Sequence, residues 1–166
     1  LDAGTPDGTR VWLADDAGGG PRVQAIAERW QRRTRLQAAY TRRTRRLGEV
    51  AHLDEMLRAC GNADVAVLAP DALPLPGWLG QLAACLARDP SVATATPWSN
   101  VGETVAWPRL GDLNPLPDDR ERLAEACAAL APLHPELPNA VSHAVVLRGA
   151  ALAAAGGLDA ESYGSW

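Results

Sequence analysis

The chain has 166 residues, 47% of them hydrophobic and 22% charged, which suits one domain with a real core and excludes extended disorder. A formal net charge of -4 excludes non-specific nucleic-acid binding by the domain as a whole, and the absence of any run of ~18 apolar residues excludes a membrane-spanning helix. Cys60, Cys85 and Cys127 have no C-x-x-C or zinc spacing and lie in Ala-rich segments, so they read as small buried side chains in a reducing compartment.

In chain order, a turn-rich stretch from Gly4 to Gly8 precedes a short apolar run, Arg10 to Ala14, that predicts a buried strand. The strand ends at Asp15-Asp16 and is followed by Gly18-Gly19-Gly20. Pro21 then opens a helix with Val23, Ile26, Ala27 and Trp30 on its apolar side. Leu36 to Tyr40 predicts a second strand, and Thr41 to Arg46 is polar and basic. Val50 to Ala59 predicts a helix closed by Gly61-Asn62. Val65 to Leu68 is the strongest strand signal and runs into Ala69-Pro70-Asp71. Trp78 to Ala87 predicts an amphipathic helix, and Val92 to Thr96 a strand. Pro97 to Asn114 is a long irregular connection, a type that usually carries function. Asp118 to Leu130 predicts a helix with Asp118 and Asp119 at its positive end. Val141 to Leu147 predicts a strand, and Ala150 to Ala155 a helix capped by Gly156-Gly157.

Strands alternating with helices predict an α/β fold with a mainly parallel sheet and helices on both faces. Ligands of such sheets bind outside the carboxyl ends of strands. Asp15-Asp16 and Asp71 are the acids at those ends, and neighbouring strands would bring them to one crevice. There they would accept hydrogen bonds from a nucleoside or help hold Mg²⁺ or Mn²⁺. Such a cation needs about one or two carboxylates beside its substrate's phosphates. A turn-ending role for Asp71 is the plainer alternative. The Arg cluster between Arg29 and Arg46 reads as a solvated face, or as an edge facing diphosphate or an anionic membrane. Gly-x-Gly-x-x-Gly, Walker and Gly-x-Ser-x-Gly signatures are absent. His52, His134 and His143 show no metal spacing. His143, at the start of a strand, is the better functional candidate.

Residues 65–79 read V-A-V-L-A-P-D-A-L-P-L-P-G-W-L, which resembles the metal-site strand and loop of glycosyltransferase family two, a family with the GT-A fold. Ala69-Pro70-Asp71 stands where that family has D-x-D, with the last acid kept and the first replaced. Arg10 to Gly18 resembles the family's second strand with its terminal Asp pair. Leu47-Gly48-Glu49-Val50 with Asp54 resembles its N-x-G-x-x-x-A-x-N-x-G segment, with Arg46 and Asp54 in place of Asn. Thr96-Pro97-Trp98-Ser99-Asn100 with Trp107-Pro108, and Leu147-Arg148 with Gly156-Gly157-Leu158-Asp159, match later stretches in order.

The resemblance implies an incomplete GT-A domain, 1–97 forming the donor half and 98–166 the start of the acceptor half. It implies transfer of a hexosyl group from a nucleoside-diphosphate sugar to a glycan or lipid-linked acceptor, with inversion and a divalent cation, Mg²⁺ or Mn²⁺. Glycan or cell-surface polysaccharide synthesis would be the setting, in the cytoplasm or at the inner face of a membrane. Asp15, Asp16, Arg46 and Gly48 would face the nucleotide and Asp71 the metal. Trp98, Asn100, His143, Gly157 and Asp159 would face the acceptor or sugar. The family's first strand is expected before Leu1 and its catalytic base beyond Trp166. No residue of this chain is therefore assigned as base, and this segment by itself is expected to have little turnover. The alternatives are a non-catalytic sugar-nucleotide-binding relic and a nucleotidyltransferase, which usually carries a Gly-rich, Lys-containing segment that is absent here.

Overall fold

A computed structural model describes residues 1–2 and 4–163. Gly164, Ser165 and Trp166 lie outside the described residues.

Five strands and five helices alternate among the described residues: β1 (Arg10–Asp15), α1 (Pro21–Gln31), β2 (Gln37–Arg42), α2 (Glu49–Ala59), β3 (Val65–Leu68), α3 (Trp78–Arg88), β4 (Thr94–Ala95), α4 (Arg120–Ala129), β5 (Ala144–Leu147) and α5 (Gly149–Ala155). Each predicted element is present, with ends moved by a few residues, and the strand expected at Val92 to Thr96 is only two residues long. Pro21 occupies the first turn of α1, where its missing N–H costs nothing. Asp119 caps α4 by accepting a hydrogen bond from the Arg122 N–H at 2.9 Å.

The expectation of a mainly parallel sheet is corrected. β1 and β2 pair in parallel, from Arg10 opposite Gln37 to Asp15 opposite Arg42. A separate sheet has the order β3-β5-β4, and β5 runs antiparallel to both neighbours. A parallel neighbour requires a crossover, usually through a packed helix. The segment before β5 contains only α4, none of whose residues is buried, so no such helix covers the sheet there.

The three-stranded sheet does carry helices on both faces. All four residues of β5 are buried, as a central strand covered on two sides requires. Val146 faces Leu82 and Leu86 of α3, together with Ala95, Trp78 and Val92. Val145 and Leu147 face Leu53 and Leu57 of α2, with Leu152 of α5 and Leu158. Each such apolar side chain, taken fully out of water, contributes roughly 1.5–3 kcal/mol. β1, by contrast, only alternates between exposed and half-buried positions. Of the three cysteines, Cys60 and Cys85 are half-buried, whereas Cys127 is exposed on α4, contrary to its expected burial. No residue of α4 is buried; Leu123 and Ala124 are half-buried, and Cys127 is exposed.

One tight position explains a glycine at the far end of the chain. A side chain at Gly149 would collide with the backbone carbonyls of Asn62 and Ala63, because α5 starts directly against that turn. Arg148, just before it, donates to the carbonyls of Val92 at 2.7 Å, Leu86 at 2.6 Å and Asp89 at 2.9 Å, tying β5 to the end of α3.

Candidate functional site

Asp15 is the last residue of β1, and Asp16 follows it. The parallel partner strand sets Tyr40 and Arg42 beside Asp15. Its Oδ2 accepts from the Tyr40 hydroxyl at 3.0 Å and lies 3.6 Å from the Arg42 Nε, while Oδ1 accepts from the Gly19 N–H at 3.2 Å. Gly19 must be glycine-like, since a Cβ there would meet Asp15 Oδ2 at 2.8 Å. Burial opposes ionisation of Asp15, but the Gly19, Tyr40 and Arg42 interactions outweigh it and leave the carboxyl below its ordinary pKa.

Asp16 reaches across to the start of α2. Its Oδ1 accepts from the Leu47 N–H and its Oδ2 from the Gly48 N–H, both at 2.8 Å. Gly48 is the residue before α2 and has φ +104°, which a side chain would strain. Both its N–H and its conformation thus serve the helix start, where the positive end of the dipole favours a carboxylate. His52 Nδ1 at 4.0 Å and Arg43 Nε at 3.8 Å complete the surroundings of Asp16. Here too burial raises the pKa, and the two amides, His52 and Arg43 more than reverse it. Arg46, on the turn between Asp16's two partners and β2, is exposed.

Asp71 is placed differently. It lies three residues beyond β3, exposed, and its carboxylate makes no hydrogen bond or ion pair among the described residues. The backbone nearby is ordered by the Ala69 N–H, which donates to the His143 carbonyl at 3.0 Å, and by the Ala72 N–H, which donates to Ala69 at 3.1 Å. No group of three or more His, Cys, Asp or Glu side chains among the described residues could hold a metal ion. A cation cage made by protein alone is therefore not preformed there. Asp71 fits a cation that arrives with phosphates and takes one carboxylate from the protein.

The acceptor-side candidates divide into exposed groups and scaffold. Trp98 and Trp107 are 50% and 56% exposed, so neither ring went to the core, the commoner fate of Trp. They flank a loop closed by the Ser99 N–H to Val105 carbonyl and the Trp107 N–H to Ser99 carbonyl, each 2.9 Å. Buried Val105 and Ala106 anchor that loop. Asn100 is engaged in packing the connection: its amide donates to the Asn114 carbonyl at 3.1 Å, and its own carbonyl accepts from the Asn114 N–H at 2.8 Å. Asn114, buried and missed by sequence reasoning, also donates to the Arg109 carbonyl at 2.9 Å.

His143 is half-buried ahead of β5, and neither ring nitrogen has a hydrogen-bond partner among the described residues. Burial pushes its pKa down, and the nearby Pro97 carbonyl, outside hydrogen-bonding geometry, offsets only part of this. An open groove of about 420 Å³ adjoins it in the chain, lined by Glu103, Thr104, Asn139, Ala140, Val141 and Ser142. None of Asp15, Asp16 and Asp71 lines that groove.

Gly157 and Asp159 serve local architecture. Gly157 has φ +100°, and a Cβ on it would collide with Arg58 and Asp54 of α2. Those two side chains hold the loop: Asp54 Oδ1 accepts from the Leu158 N–H at 2.8 Å, and Arg58 donates to the Gly156 carbonyl and to Asp54, each at 2.6 Å. The i,i+4 spacing of Asp54 and Arg58 was the available signal for this pair. Asp159 Oδ1 accepts from the N–H groups of Ser162 at 3.0 Å and Glu161 at 3.2 Å. Hydrogen bonds from the Ser162 side chain and backbone, with that of Glu161, keep its carboxyl below the usual range.

Residues 1–132 match the family described as Glycosyl transferase family 2. No curated protein and no solved structure matches the chain.

Proposed function

The chain belongs to glycosyltransferase family 2, and on that premise we propose that it binds a nucleoside-diphosphate sugar at the carboxyl ends of β1 and β3 and passes the sugar to an acceptor hydroxyl. Family membership supports glycosyltransferase activity in general and implies a nucleotide-sugar donor and an acceptor. The observation that carries the finer reading is the contrast between fixed and free acids at those strand ends. Asp15 and Asp16 are held by hydrogen bonds beside a basic turn, and Asp71 is unpaired among the described residues.

In this reading residues 1–97 form the donor half and residues 98–166 begin the acceptor half. Asp15 and Arg46 face the nucleotide, and Asp16 and Gly48 belong to the turn that carries Arg46. Asp71 would hold Mg²⁺ or Mn²⁺ together with the donor's phosphates, and the cation would supply charge neutralisation on the departing diphosphate. The acceptor hydroxyl attacks the anomeric carbon from the face opposite the leaving group, with inversion, and the nucleoside diphosphate departs. Exposed Trp98 and Trp107 offer apolar ring faces to sugars. His143, with its lowered pKa, is neutral near pH 7 and is assigned to the acceptor side, with Asn100, Gly157 and Asp159 shaping the backbone there. A hexosyl donor and a glycan or lipid-linked acceptor in cell-surface polysaccharide synthesis complete the proposal. No helix among the described residues is long and apolar enough to cross a membrane.

Calorimetric titration with UDP, GDP and dTDP, each with and without Mn²⁺, tests it. Binding of one nucleotide that strengthens with Mn²⁺ and weakens at least about tenfold in Asp71→Ala is expected, as for lost metal-site interactions. Binding that ignores both metal and Asp71 would favour the non-catalytic relic, a reading supported by Ala69 at the first acid's place.

A further inference from the structure

We propose that Asp16 is a positioning residue, which fixes the turn between β2 and α2 so that Arg45 and Arg46 are presented to the donor's diphosphate; this rests on the nucleoside-diphosphate reading above. The sequence assigns Asp16 to direct contact with the nucleotide. Its surroundings suit a different task, because each carboxylate oxygen already accepts a backbone N–H at 2.8 Å.

The turn is fastened at both ends. At its start the Arg43 N–H donates to the Asp15 carbonyl at 2.9 Å, and the Arg43 guanidinium donates to Glu55 of α2 at 2.6 and 2.8 Å. At its end Asp16 holds the amides of Leu47 and Gly48. Between these fastenings lie Thr44, Arg45 and Arg46, all exposed. The preceding arginines are engaged: Arg42 with Asp15 and Gln24, Arg43 with Glu55. Arg45 and Arg46 make no ion pair among the described residues, although they stand on the same turn.

Two adjacent guanidiniums on a short, doubly fastened turn suit phosphate oxygens, which arginine pairs with bidentately. Fastening matters because a turn that is already ordered loses less conformational freedom on binding. Asp16 therefore acts on affinity through the turn and touches no part of the donor. An Asn at this position keeps one acceptor but turns an amide N–H toward the second backbone N–H, so one fastening is lost.

The test compares inorganic pyrophosphate, which has no nucleoside, with UDP, GDP and dTDP in calorimetric titrations at constant Mn²⁺. Asp16→Asn should weaken pyrophosphate and the preferred nucleotide by the same factor, about tenfold if one residue's backbone is freed. Amide exchange at Leu47 and Gly48 should quicken in the same variant. An Arg45→Ala/Arg46→Ala double variant, with Asp16 intact, should lose both ligands in parallel, which keeps the test decisive if Asp16→Asn folds poorly. Loss of the nucleotide with pyrophosphate unchanged would mean that Asp16 contacts the nucleoside, and would overturn the inference. So would unchanged affinity in the double variant. Wild-type protein that binds pyrophosphate but none of the three nucleotides would instead remove the donor reading and leave the turn as a phosphate site.

Discussion

Asp16 and Asp71 each follow a strand, yet the fold treats them in opposite ways. Asp16 is gripped by two backbone amides at the start of α2, whereas Asp71 stands exposed on a loop with no partner among the described residues. The sheets beneath them differ likewise. The β3-β5-β4 sheet is covered on both faces, and β1 and β2 form a half-exposed ribbon. α2 joins the two regions. Leu53 and Leu57 lie on the three-stranded sheet, while Gly48, His52 and Glu55 face the end of β1 and the basic turn. A carboxylate with its oxygens satisfied inside the fold contributes to shape. A carboxylate left free is available to a ligand.

Breaking the join should show the largest effect. Leu57→Ala removes a side chain that is 2% exposed and should destabilise the protein by about 2–5 kcal/mol in urea denaturation. A loss under 1 kcal/mol would mean that α2 is not the common support. Next comes Asp16→Asn, which unfastens one backbone amide near the surface and should cost about 0.5–1.5 kcal/mol in the same assay.

Acid should act in two stages. His143 has a folded pKa below its unfolded value of about 6.5, so the unfolded chain takes up its proton more readily and stability falls as pH drops below that value. Asp15 and Asp16, with lowered folded pKa values, contribute stability that is complete above the unfolded carboxyl value of about 3.9 and is lost as pH falls through their folded values. Denaturation midpoints measured from pH 7 to pH 3 should decline gently at first and then steeply. His143→Gln should flatten only the first part.

The smallest expected effect sharpens the contrast most. Asp71→Asn should leave stability within about 0.5 kcal/mol of wild type, as surface substitutions usually do, while still weakening metal-dependent nucleotide binding. A large loss of stability would show that Asp71 has a structural partner and that the two acids are not opposites.

Much of this molecule follows from the sequence alone. Periodicity located α1, α2 and α3, because an apolar face must recur every three or four residues to reach a core, while terminal acids marked α4 and capping glycines α5. Acids and glycines marked the end of β1, and six short segments in order pointed to the family. The direction of β5 was not legible, since a buried strand reads the same whichever way it runs. Packing decided it, through a connection whose α4 buries no residue. Nor could spacing reveal that Asp16 closes on Leu47 and Gly48, or that Asn100 closes on Asn114. Residue type and order are local properties. Which carboxylate a backbone amide claims, and which it leaves for a ligand, depends on groups 31 and 32 positions apart for Asp16, brought together only when α2 settles on its sheet.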